Sequence, residues 1–161
     1  MKKRLTKDLT LFFLPTFPKA FAKGVRKNLA IVGVGGNLGN CLRRFKKVAL
    51  LLASHPKVRL VKTAPILKNP PFGYLDQPYF FNTLFLLDTS LSPFELLDYL
   101  LYLEKRFKRI RSFKNAPRTL DLDIIFYNDK KIDKKYLKLP HPYWSKRESV
   151  IIPLRFLLER G

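Results

Sequence analysis

Apolar residues recur along the chain in blocks whose spacing alternates between that of strands and that of helices. Four blocks are rich in β-branched and aromatic residues and predict strands: Asn28 to Val34, Val58 to Ile66, Phe80 to Thr89 and Leu120 to Tyr127. A glycine-rich turn follows the first block, and Asn128-Asp129 predicts a turn after the last. Ile132-Asp133 is expected to begin a short returning segment.

Two helices are predicted between these strands, and a third element is expected at the end of the chain. Leu42 to Ala53 places apolar residues at helical spacing, with cations pointing outward. Ser92-Pro93-Phe94-Glu95 predicts the start of the second helix, because a serine cap, a proline and a glutamate occupy the positions that begin a helix. This helix is expected to end near Phe107. A last helix or irregular piece is expected over Ser145 to Leu158, interrupted at Pro153.

The predicted order β-α-β-β-α-β is typical of an α+β domain in which helices cover one face of a mainly antiparallel sheet. A chain of 161 residues is long enough to bury a core, and one such domain accounts for it. We therefore expect a two-layer domain over residues 28–161, preceded by an extension over residues 1–27.

The extension differs from the rest of the chain in charge and in hydrophobic pattern. Residues 1–27 contain eight basic residues and one acid, Asp8, around a short apolar run from Leu9 to Leu14. The run is similar to a secretory signal, but Asp8 at its entrance and Pro15 and Pro18 after it argue against export. We expect an extension that packs loosely or binds an acidic surface. Because no motif lies in it, we expect deletion of residues 1–24 to leave activity intact.

The net charge of the chain indicates which class of ligand it binds. Thirty-two basic residues against twelve acids give +20, so the ligand is expected to be anionic: nucleic acid, an acidic membrane surface and a polyphosphate all remain open. The longest apolar run, Val48 to Ala53, is too short to cross a bilayer. The single cysteine, Cys41, cannot form an intramolecular disulfide, which fits a reducing, cytoplasmic location.

The segment Pro117-Arg118-Thr119-Leu120-Asp121-Leu122-Asp123-Ile124 carries the clearest candidate chemistry. Residues two apart in a strand share a face, so Asp121 and Asp123 project together while the leucines and Ile124 enter the core. Two carboxylates on one face repel each other unless a cation lies between them, and Mg²⁺ prefers such oxygen ligands together with phosphate oxygens. The alternative is a solvated face whose carboxylates pair with neighbouring lysines.

Basic residues precede this pair: Arg109, Arg111, Lys114 and Arg118. Guanidinium groups form forked hydrogen bonds to phosphate, so cations close in sequence to a carboxylate pair predict a site for a metal-bound polyphosphate. A merely solvated basic loop is the alternative, since charge runs often have no other role.

Two further motifs are less specific. If Phe80 and Asn82 lie in a strand they share one face, where a ring and a carboxamide could recognise a flat heterocycle, although aromatic strand residues usually belong to the core. The glycine turn, Gly33 to Asn40, is similar to a dinucleotide-binding loop, but its third glycine comes one position late and no acid follows at the required distance. A tight strand-to-helix connection is the simpler interpretation.

These motifs occur in an order that resembles the 6-hydroxymethyl-7,8-dihydropterin pyrophosphokinase family of folate biosynthesis, over about residues 28–158. The marks, in chain order, are Gly33 to Gly39, Asn69-Pro70-Pro71-Phe72-Gly73, Asp76-Gln77-Pro78 with Asn82, Glu104 followed by Arg109-Ile110-Arg111, Pro117 to Ile124, and Leu139-Pro140-His141-Pro142 with Arg147. The resemblance implies a ferredoxin-like two-layer α+β fold. It also implies Mg²⁺-dependent transfer of pyrophosphate from ATP to the hydroxymethyl oxygen of the pterin, with release of AMP.

The resemblance also implies roles for individual residues. Four would be catalytic, the two aspartates by holding two Mg²⁺ ions on the triphosphate: Arg109, Arg118, Asp121 and Asp123. The ATP site would be lined by Glu104, Arg109, Arg111, Arg118, Ile124, His141 and Arg147. The pterin pocket would be shaped by Asn69, Pro70, Phe72, Phe80, Asn82 and Asp121. Both substrates are small molecules, and we expect a cytoplasmic monomer that uses neither membrane nor nucleic acid.

Two positions depart from the family pattern. Ser149 stands where family members often carry a phenylalanine that sandwiches the pterin, so either Phe80 stacks alone or Tyr143, Trp144 or another ring substitutes. Asn115 stands where a tryptophan is often found, in a loop expected to close over ATP. The competing class is a basic RNA-binding module with the same strand order, but the sequence lacks the Lys/Arg-Gly-Phe/Tyr-Gly/Ala-Phe pattern typical of it.

Overall fold

An antiparallel sheet and the helices packed against it form the fold. The computed structural model describes residues 1–22, 27–110 and 112–159. Its strands are β1 (Lys2–Arg4), β2 (Thr10–Phe12), β3 (Lys19–Ala20), β4 (Asn28–Gly36), β5 (Val58–Thr63), β6 (Ile66–Asn69), β7 (Phe80–Thr89), β8 (Asp121–Tyr127), β9 (Ile132–Lys134) and β10 (Leu137–Leu139). Its helices are α1 (Cys41–Ser54), α2 (Pro93–Arg106) and α3 (Glu148–Leu158). None of the described helices is long and apolar enough to cross a bilayer.

Strand β4 lies between β7 and β8, next to the edge of the sheet that β8 forms. Strand β7 is long enough to pair along its other edge with both β5 and β6, and the sheet continues from β6 to β2 and β1. These pairings, and that of β9 with β10, are all antiparallel. The predicted α+β class, with a mainly antiparallel sheet and helices packed on it, is confirmed.

The predicted elements lie close to the observed ones, with two differences. The interruption expected at Pro153 is wrong, because α3 continues through this proline, which removes one backbone N–H without ending the helix. The strand expected over residues 58–66 is divided at Ala64 and Pro65 into β5 and β6, because proline has no N–H for a ladder hydrogen bond. Helix α2 begins as predicted. Ser92 Oγ accepts from the Glu95 N–H at 3.2 Å, and Glu95 Oε1 accepts from the Ser92 N–H at 2.9 Å.

The helices lie on both faces of the sheet, which corrects the expectation that they share one. Helices α1 and α2 cover one face over a continuous apolar core. Helix α3 packs on the opposite face, through Val150 and Leu157. Ile125 shares this face with Asp121 and Asp123 by alternation along β8, and a β-bulge that leaves Ile125 without a partner in β4 places Phe126 on the same face.

Residues 1–22 belong to the same sheet, so the expectation of a loosely packed extension is wrong for them. Strand β2 pairs with β6, and β3 pairs with β5. Phe17 is fully buried and stacks on Phe85 with 5.8 Å between the ring centroids, and Leu11 is 2% exposed. The apolar run between the cations therefore forms a strand whose side chains enter the core.

Candidate active site

The candidate site lies on the α3 face of the sheet, where β4 and β8 are paired. Strand β4 contributes Gly33 and Gly35, which lie opposite Asp123 and Asp121 of β8 in the register. A Cβ at Gly35 would overlap with the Oδ1 atom of Asn82, so only glycine leaves room for that amide. The two carboxylates therefore lie beside Gly33 and Gly35, which form a glycine floor without side chains.

Asp121 is held by two arginines. Its Oδ1 accepts a hydrogen bond from Arg109 Nη1 at 2.7 Å, and its Oδ2 accepts one from Arg118 Nη1 at 3.3 Å. The two arginine side chains are 12% and 17% exposed, and that of Asp121 is 30% exposed. Because partly buried ion pairs are screened less than surface pairs, these cations offset part of the charge of Asp121.

Glu104 of α2 fixes Arg109 from the other side. It is 3% exposed, and its Oε2 accepts hydrogen bonds from Arg109 Nη1 at 3.2 Å and from the backbone N–H of Leu122 at 2.8 Å. Burial lowers the pKa of Arg109, but the charges of Asp121 and Glu104 outweigh burial and the net direction is upward. Arg109 therefore stays charged at the start of β8.

Asp123 lacks such cationic contacts. It forms no hydrogen bond or ion pair within residues 1–22, 27–110 and 112–159. Burial and the nearby carboxylates of Asp121 and Glu104 raise the pKa of Asp123 to about 8. A cation placed beside Asp123 would stabilise the charged form of its carboxylate.

The donor set suits a cation whose coordination is completed by a bound nucleotide. Among the described residues, no group of three or more His, Cys, Asp or Glu side chains could hold a metal ion. Mg²⁺ is usually bound through one or two carboxylates together with water and substrate phosphates, rather than by a complete protein cage. Asp121 and Asp123 meet that requirement, and their mutual repulsion favours a cation between them.

The two aspartates line a small cavity of about 50 Å³ together with His141 and Arg147. The backbone N–H of His141 donates to the carbonyl of Ile125 at 2.9 Å, which ties the loop after β10 to β8. Burial lowers the pKa of His141, and the charge of Arg147 lowers it further. His141 therefore faces the aspartates as a neutral imidazole at about pH 7.

A larger cavity of about 370 Å³ adjoins the first. The two cavities share Asn82, Asp121, Arg147 and Ser149. All six residues predicted for the pterin pocket line it: Asn69, Pro70, Phe72, Phe80, Asn82 and Asp121. The Nδ2 of Asn82 donates to Asn69 Oδ1 at 2.7 Å. The guanidinium carbon of Arg118 lies 5.1 Å from the centroid of the Phe80 ring. The structure brings this predicted set together, and its role in binding stays a prediction.

The residues predicted for the ATP site are brought together in part. Five of them surround the aspartates: Glu104, Arg109, Arg118, His141 and Arg147. The side chain of Ile124 lies instead in the core under α1 and α2, so only its backbone is able to face a ligand. Arg111 lies outside the described residues.

The structure also narrows the choice of ring opposite Phe80. Among the described residues, the aromatic rings that line the larger cavity are Phe72 and Phe80. Trp144 packs on Phe126 with 5.0 Å between the ring centroids, in the apolar cluster under α3. Tyr143 does not line the cavity but contacts Arg147, 5.4 Å from its ring. Phe72, which is 71% exposed, is thus the second ring available to the cavity.

Sequence reasoning assigned no binding role to five residues of the cavity wall: Pro71, Asn115, Lys146, Glu148 and Ser149. The signal for three of them is that they lie within two residues of Arg147, at the start of α3 and in the turn before it. The sequence marks Asn115 only as a departure from the family pattern. It reaches the cavity because its loop packs on Gln77, whose Nε2 donates to the carbonyl of Asn115 at 2.9 Å.

The chain is similar to a known family over most of its length. The family model described as 7,8-dihydro-6-hydroxymethylpterin-pyrophosphokinase matches residues 31–159. The 2-amino-4-hydroxy-6-hydroxymethyldihydropteridine pyrophosphokinase of Helicobacter pylori is 44% identical over 151 residues, which cover 90% of this chain and 93% of the relative. The protein of the same name from Campylobacter jejuni is 39% identical over 136 residues, which cover 83% and 87%. With its glycine floor, its paired aspartates and these relatives, the chain belongs to the 7,8-dihydro-6-hydroxymethylpterin-pyrophosphokinase family.

Proposed function

We propose that this chain transfers pyrophosphate from ATP to the hydroxymethyl group of 6-hydroxymethyl-7,8-dihydropterin in folate biosynthesis, with two Mg²⁺ ions bound at Asp121 and Asp123. The transfer follows from the family to which the chain belongs. The observation that carries the assignment of the site is the position of Asp121, which lines both cavities. A pterin in the larger cavity and a triphosphate at the arginines would meet at this carboxylate.

The larger cavity suits a flat, polar heterocycle. Its volume of about 370 Å³ lies within the range of small-molecule sites. Phe72 and Phe80 offer ring faces for stacking. The amides of Asn69 and Asn82 use one donor and one acceptor in their mutual hydrogen bond, so polar atoms remain for the edge of the pterin.

Arg109 and Arg118 are placed to stabilise the charge that moves during transfer. The pterin hydroxyl oxygen bonds to the β-phosphorus, the bond from that phosphorus to the oxygen bridging to the α-phosphate breaks, the hydroxyl proton is released, and AMP leaves. Both guanidinium groups now contact Asp121, and their geometry equally suits phosphate oxygens. We expect them to exchange the carboxylate for phosphate when ATP binds, while Glu104 keeps Arg109 in place.

The aspartates supply the ligands for the metal. When bound, Mg²⁺ would neutralise phosphate charge and orient the attacking and leaving oxygens. Because the pKa of Asp123 is raised to about 8, a proton competes for the carboxylate below that pH. Metal binding is therefore expected to strengthen as the pH rises toward about 8.

The remaining assignments belong to the same proposal. We propose that the monomer is catalytic, because the six predicted pterin residues and both aspartates come from one chain and lie together. We assign the pyrophosphokinase domain to residues 28–161, with residues 1–27 as a basic extension whose described part completes the sheet edge. We place the enzyme in the cytoplasm, where ATP is available. The paired carboxylates would repel a phosphate backbone, so the RNA-binding alternative is not supported.

Incubation of the purified protein with MgATP and 6-hydroxymethyl-7,8-dihydropterin tests the proposal. AMP and the pyrophosphorylated pterin are expected in equal amounts, and neither is expected when the metal is removed with EDTA. Asp123→Ala is expected to lower turnover by at least about 100-fold, because one ligand of the reacting centre is lost. Its fold is expected to stay intact, since Asp123 holds no described residue in place.

Asp133→Ala is the matched control. Asp133 forms an exposed ion pair with Lys138 in the small β9–β10 sheet and lines neither cavity. Its variant is expected to keep full turnover. Unchanged turnover in Asp123→Ala would overturn the metal assignment, and no AMP release by the unaltered protein would overturn the proposed reaction.

A further inference from the structure

Asn37, at the end of β4 and just beyond the floor of the site, is a buried amide that bonds to two different loops. It is 5% exposed. Its Nδ2 donates to Gln77 Oε1 at 2.8 Å and to the carbonyl of Pro78 at 2.9 Å. Its Oδ1 accepts from the backbone N–H of Arg118 at 2.9 Å. Both donors and the acceptor of the amide are thus in use.

The two loops are those that carry the candidate binding residues. The pterin loop, residues 70–79, connects β6 to β7 and leads into Phe80. The arginine loop, residues 107–120, connects α2 to β8 and carries Arg109 and Arg118; the structure describes it apart from residue 111. Asn37 therefore ties the backbone on one side of the site to the backbone on the other.

Gln77 extends the connection. Its Nε2 donates to the carbonyl of Tyr74 within the pterin loop at 2.6 Å and to the carbonyl of Asn115 in the arginine loop at 2.9 Å. The rings of Tyr74 and Phe113 meet edge to face, with 5.1 Å between their centroids. The loops thus contact each other directly as well as through Asn37.

Neither amide lines the cavities. The walls of the larger and the smaller cavity include neither Asn37 nor Gln77. Any influence of these residues on the substrates must therefore pass through the loop backbone. The backbone N–H of Asn37 also donates to the Arg118 carbonyl at 3.0 Å, so the arginine loop stays attached to the end of β4 in a side-chain variant. Loss of the amide hydrogen bonds leaves their partners unsatisfied and allows the pterin loop to move relative to Arg118, while every residue that touches substrate is kept.

We propose that Asn37 and Gln77 are positioning residues that couple pterin binding to the placement of Arg118 at the triphosphate. This rests on the proposed function. A pterin that fixes the pterin loop also fixes the backbone of Arg118, and a nucleotide that fixes Arg118 in turn fixes the pterin loop. Such coupling is reciprocal by thermodynamic necessity, and its usual size is a 5- to 150-fold change in affinity, roughly.

The test compares the Kd of 6-hydroxymethyl-7,8-dihydropterin with and without saturating Mg²⁺ and α,β-methylene-ATP, in which the bond to be broken is unreactive. The ratio of the two values is the coupling factor. Asn37→Asp keeps the acceptor for the Arg118 N–H and loses the donors to the pterin loop. Gln77→Met keeps the side-chain length and loses every hydrogen bond to Asn37, Tyr74 and Asn115.

Both variants are expected to lower the coupling factor at least about 5-fold, with the Kd of the nucleotide analogue alone changed by less than about 2-fold. The double variant is expected to lower the coupling factor by less than the product of the two single effects, because both single variants remove the hydrogen bond between Asn37 and Gln77. Asn28→Asp is the matched control. Asn28, at the other end of β4, also donates its amide to a backbone carbonyl, that of Thr89 at 3.0 Å.

A coupling factor of one in the unaltered protein, or an unchanged factor in both variants, overturns the inference. A structural role alone would lower the melting temperature and leave the factor unchanged. If Asn37→Asp does not fold, Gln77→Met decides the matter, since Gln77 is less buried. Failure of the proposed function gives a different result: the unaltered protein then releases no AMP, whatever the variants bind.

Discussion

The face of the sheet under α1 and α2 and the face under α3 differ in how completely they are covered. Under α1 and α2 the apolar core is continuous from Phe45 and Leu52 on α1 to Leu96, Leu100 and Leu103 on α2. Under α3 the apolar cluster is smaller and occupies only part of the face. The remainder carries the glycines, the aspartates and the two cavities.

Strand β4 shows the difference within a single element. Its residues facing α1 and α2 are Ala30, Val32 and Val34, all buried in the larger core. Its residues facing α3 are Ile31, Gly33 and Gly35, so the two positions nearest the site have no side chain. Burial of a branched side chain stabilises a fold by about 1.5–3 kcal/mol. The strand thus contributes stability through one side and leaves room for ligands on the other.

The largest effect on stability is predicted for the closed face of the sheet, which α1 and α2 cover. Phe17 belongs to the core under α1 and α2 although it lies in the N-terminal segment. Phe17→Ala is expected to lower the free energy of unfolding by about 3–5 kcal/mol, the usual cost of removing a buried ring. Deletion of residues 1–20 removes Leu9 and Leu11 as well, so the truncated chain is expected not to fold stably and to lose turnover. Urea unfolding followed by circular dichroism measures both.

This reverses the expectation from sequence that truncation spares activity. Phe21→Ala serves as the control, because Phe21 is 43% exposed and its ring lies beside Lys19, 5.1 Å from the Lys19 Nζ. Its free energy of unfolding is expected to stay within about 0.5 kcal/mol of the parent. A truncated protein that folds and turns over as well as the parent would show that the N-terminal strands are dispensable.

On the open face of the sheet, which α3 covers only in part, a substitution is predicted to have a smaller effect on stability and a selective effect on binding. Gly35→Ala places a Cβ against Asn82 Oδ1, so the Asn82 amide has to move within the pterin cavity. Overpacking of this kind costs about 1–3 kcal/mol. We expect the KM for the pterin to rise about 10-fold or more with little change in the KM for ATP.

Gly33→Ala provides the matched comparison on the same strand. A Cβ at Gly33 would meet the end of the Ile125 side chain at 3.3 Å, and that side chain is able to shift. Its pterin KM is expected to stay within about 2-fold of the parent. Equal KM changes in the two variants would mean that the contact with Asn82 does not explain the requirement for glycine at position 35.

Local patterns were sufficient to predict most of the central sheet and helices. The strand at Phe80 and the start of α2 at Ser92 follow from residues within a few positions of each other. The pairing of Asp121 with Asp123 on one face also follows from alternation within one strand. These features need no knowledge of which element packs against which.

Long-range contacts account for what the sequence could not predict. The apolar run at Leu9 to Leu14 gives no local signal that it pairs with β6, which follows much later in the chain. The periodicity of α3 defines an apolar stripe but not the face of the sheet that it covers. Similarly, the hydrogen bonds from Asn37 to Gln77 and Arg118 join three loops that are far apart in sequence.

The last prediction concerns how the stability of the metal-free protein depends on pH through Asp123, on the face of the sheet under α3. Asp123 has a pKa of about 8 in the folded chain and about 3.9 when unfolded. Between these values the unfolded chain has lost this proton and the folded chain retains it, so folding takes up a proton and stability falls as the pH rises. Asp123→Asn cannot ionise, so its stability relative to the parent is expected to increase from pH 5 to pH 8.

The sign of the difference follows from the direction of the pKa shift, which burial and the carboxylates of Asp121 and Glu104 produce. Urea unfolding in EDTA at both pH values measures it. Asp133→Asn is the control, because the pKa of Asp133 is shifted in the opposite direction: Lys138 lowers it. The contribution of Asp133 to stability is therefore complete above about pH 4 and is lost only in more acidic solution. Its difference from the parent should therefore stay constant between pH 5 and pH 8. A constant difference for Asp123→Asn as well would mean that Asp123 is ionised in the folded protein throughout this range.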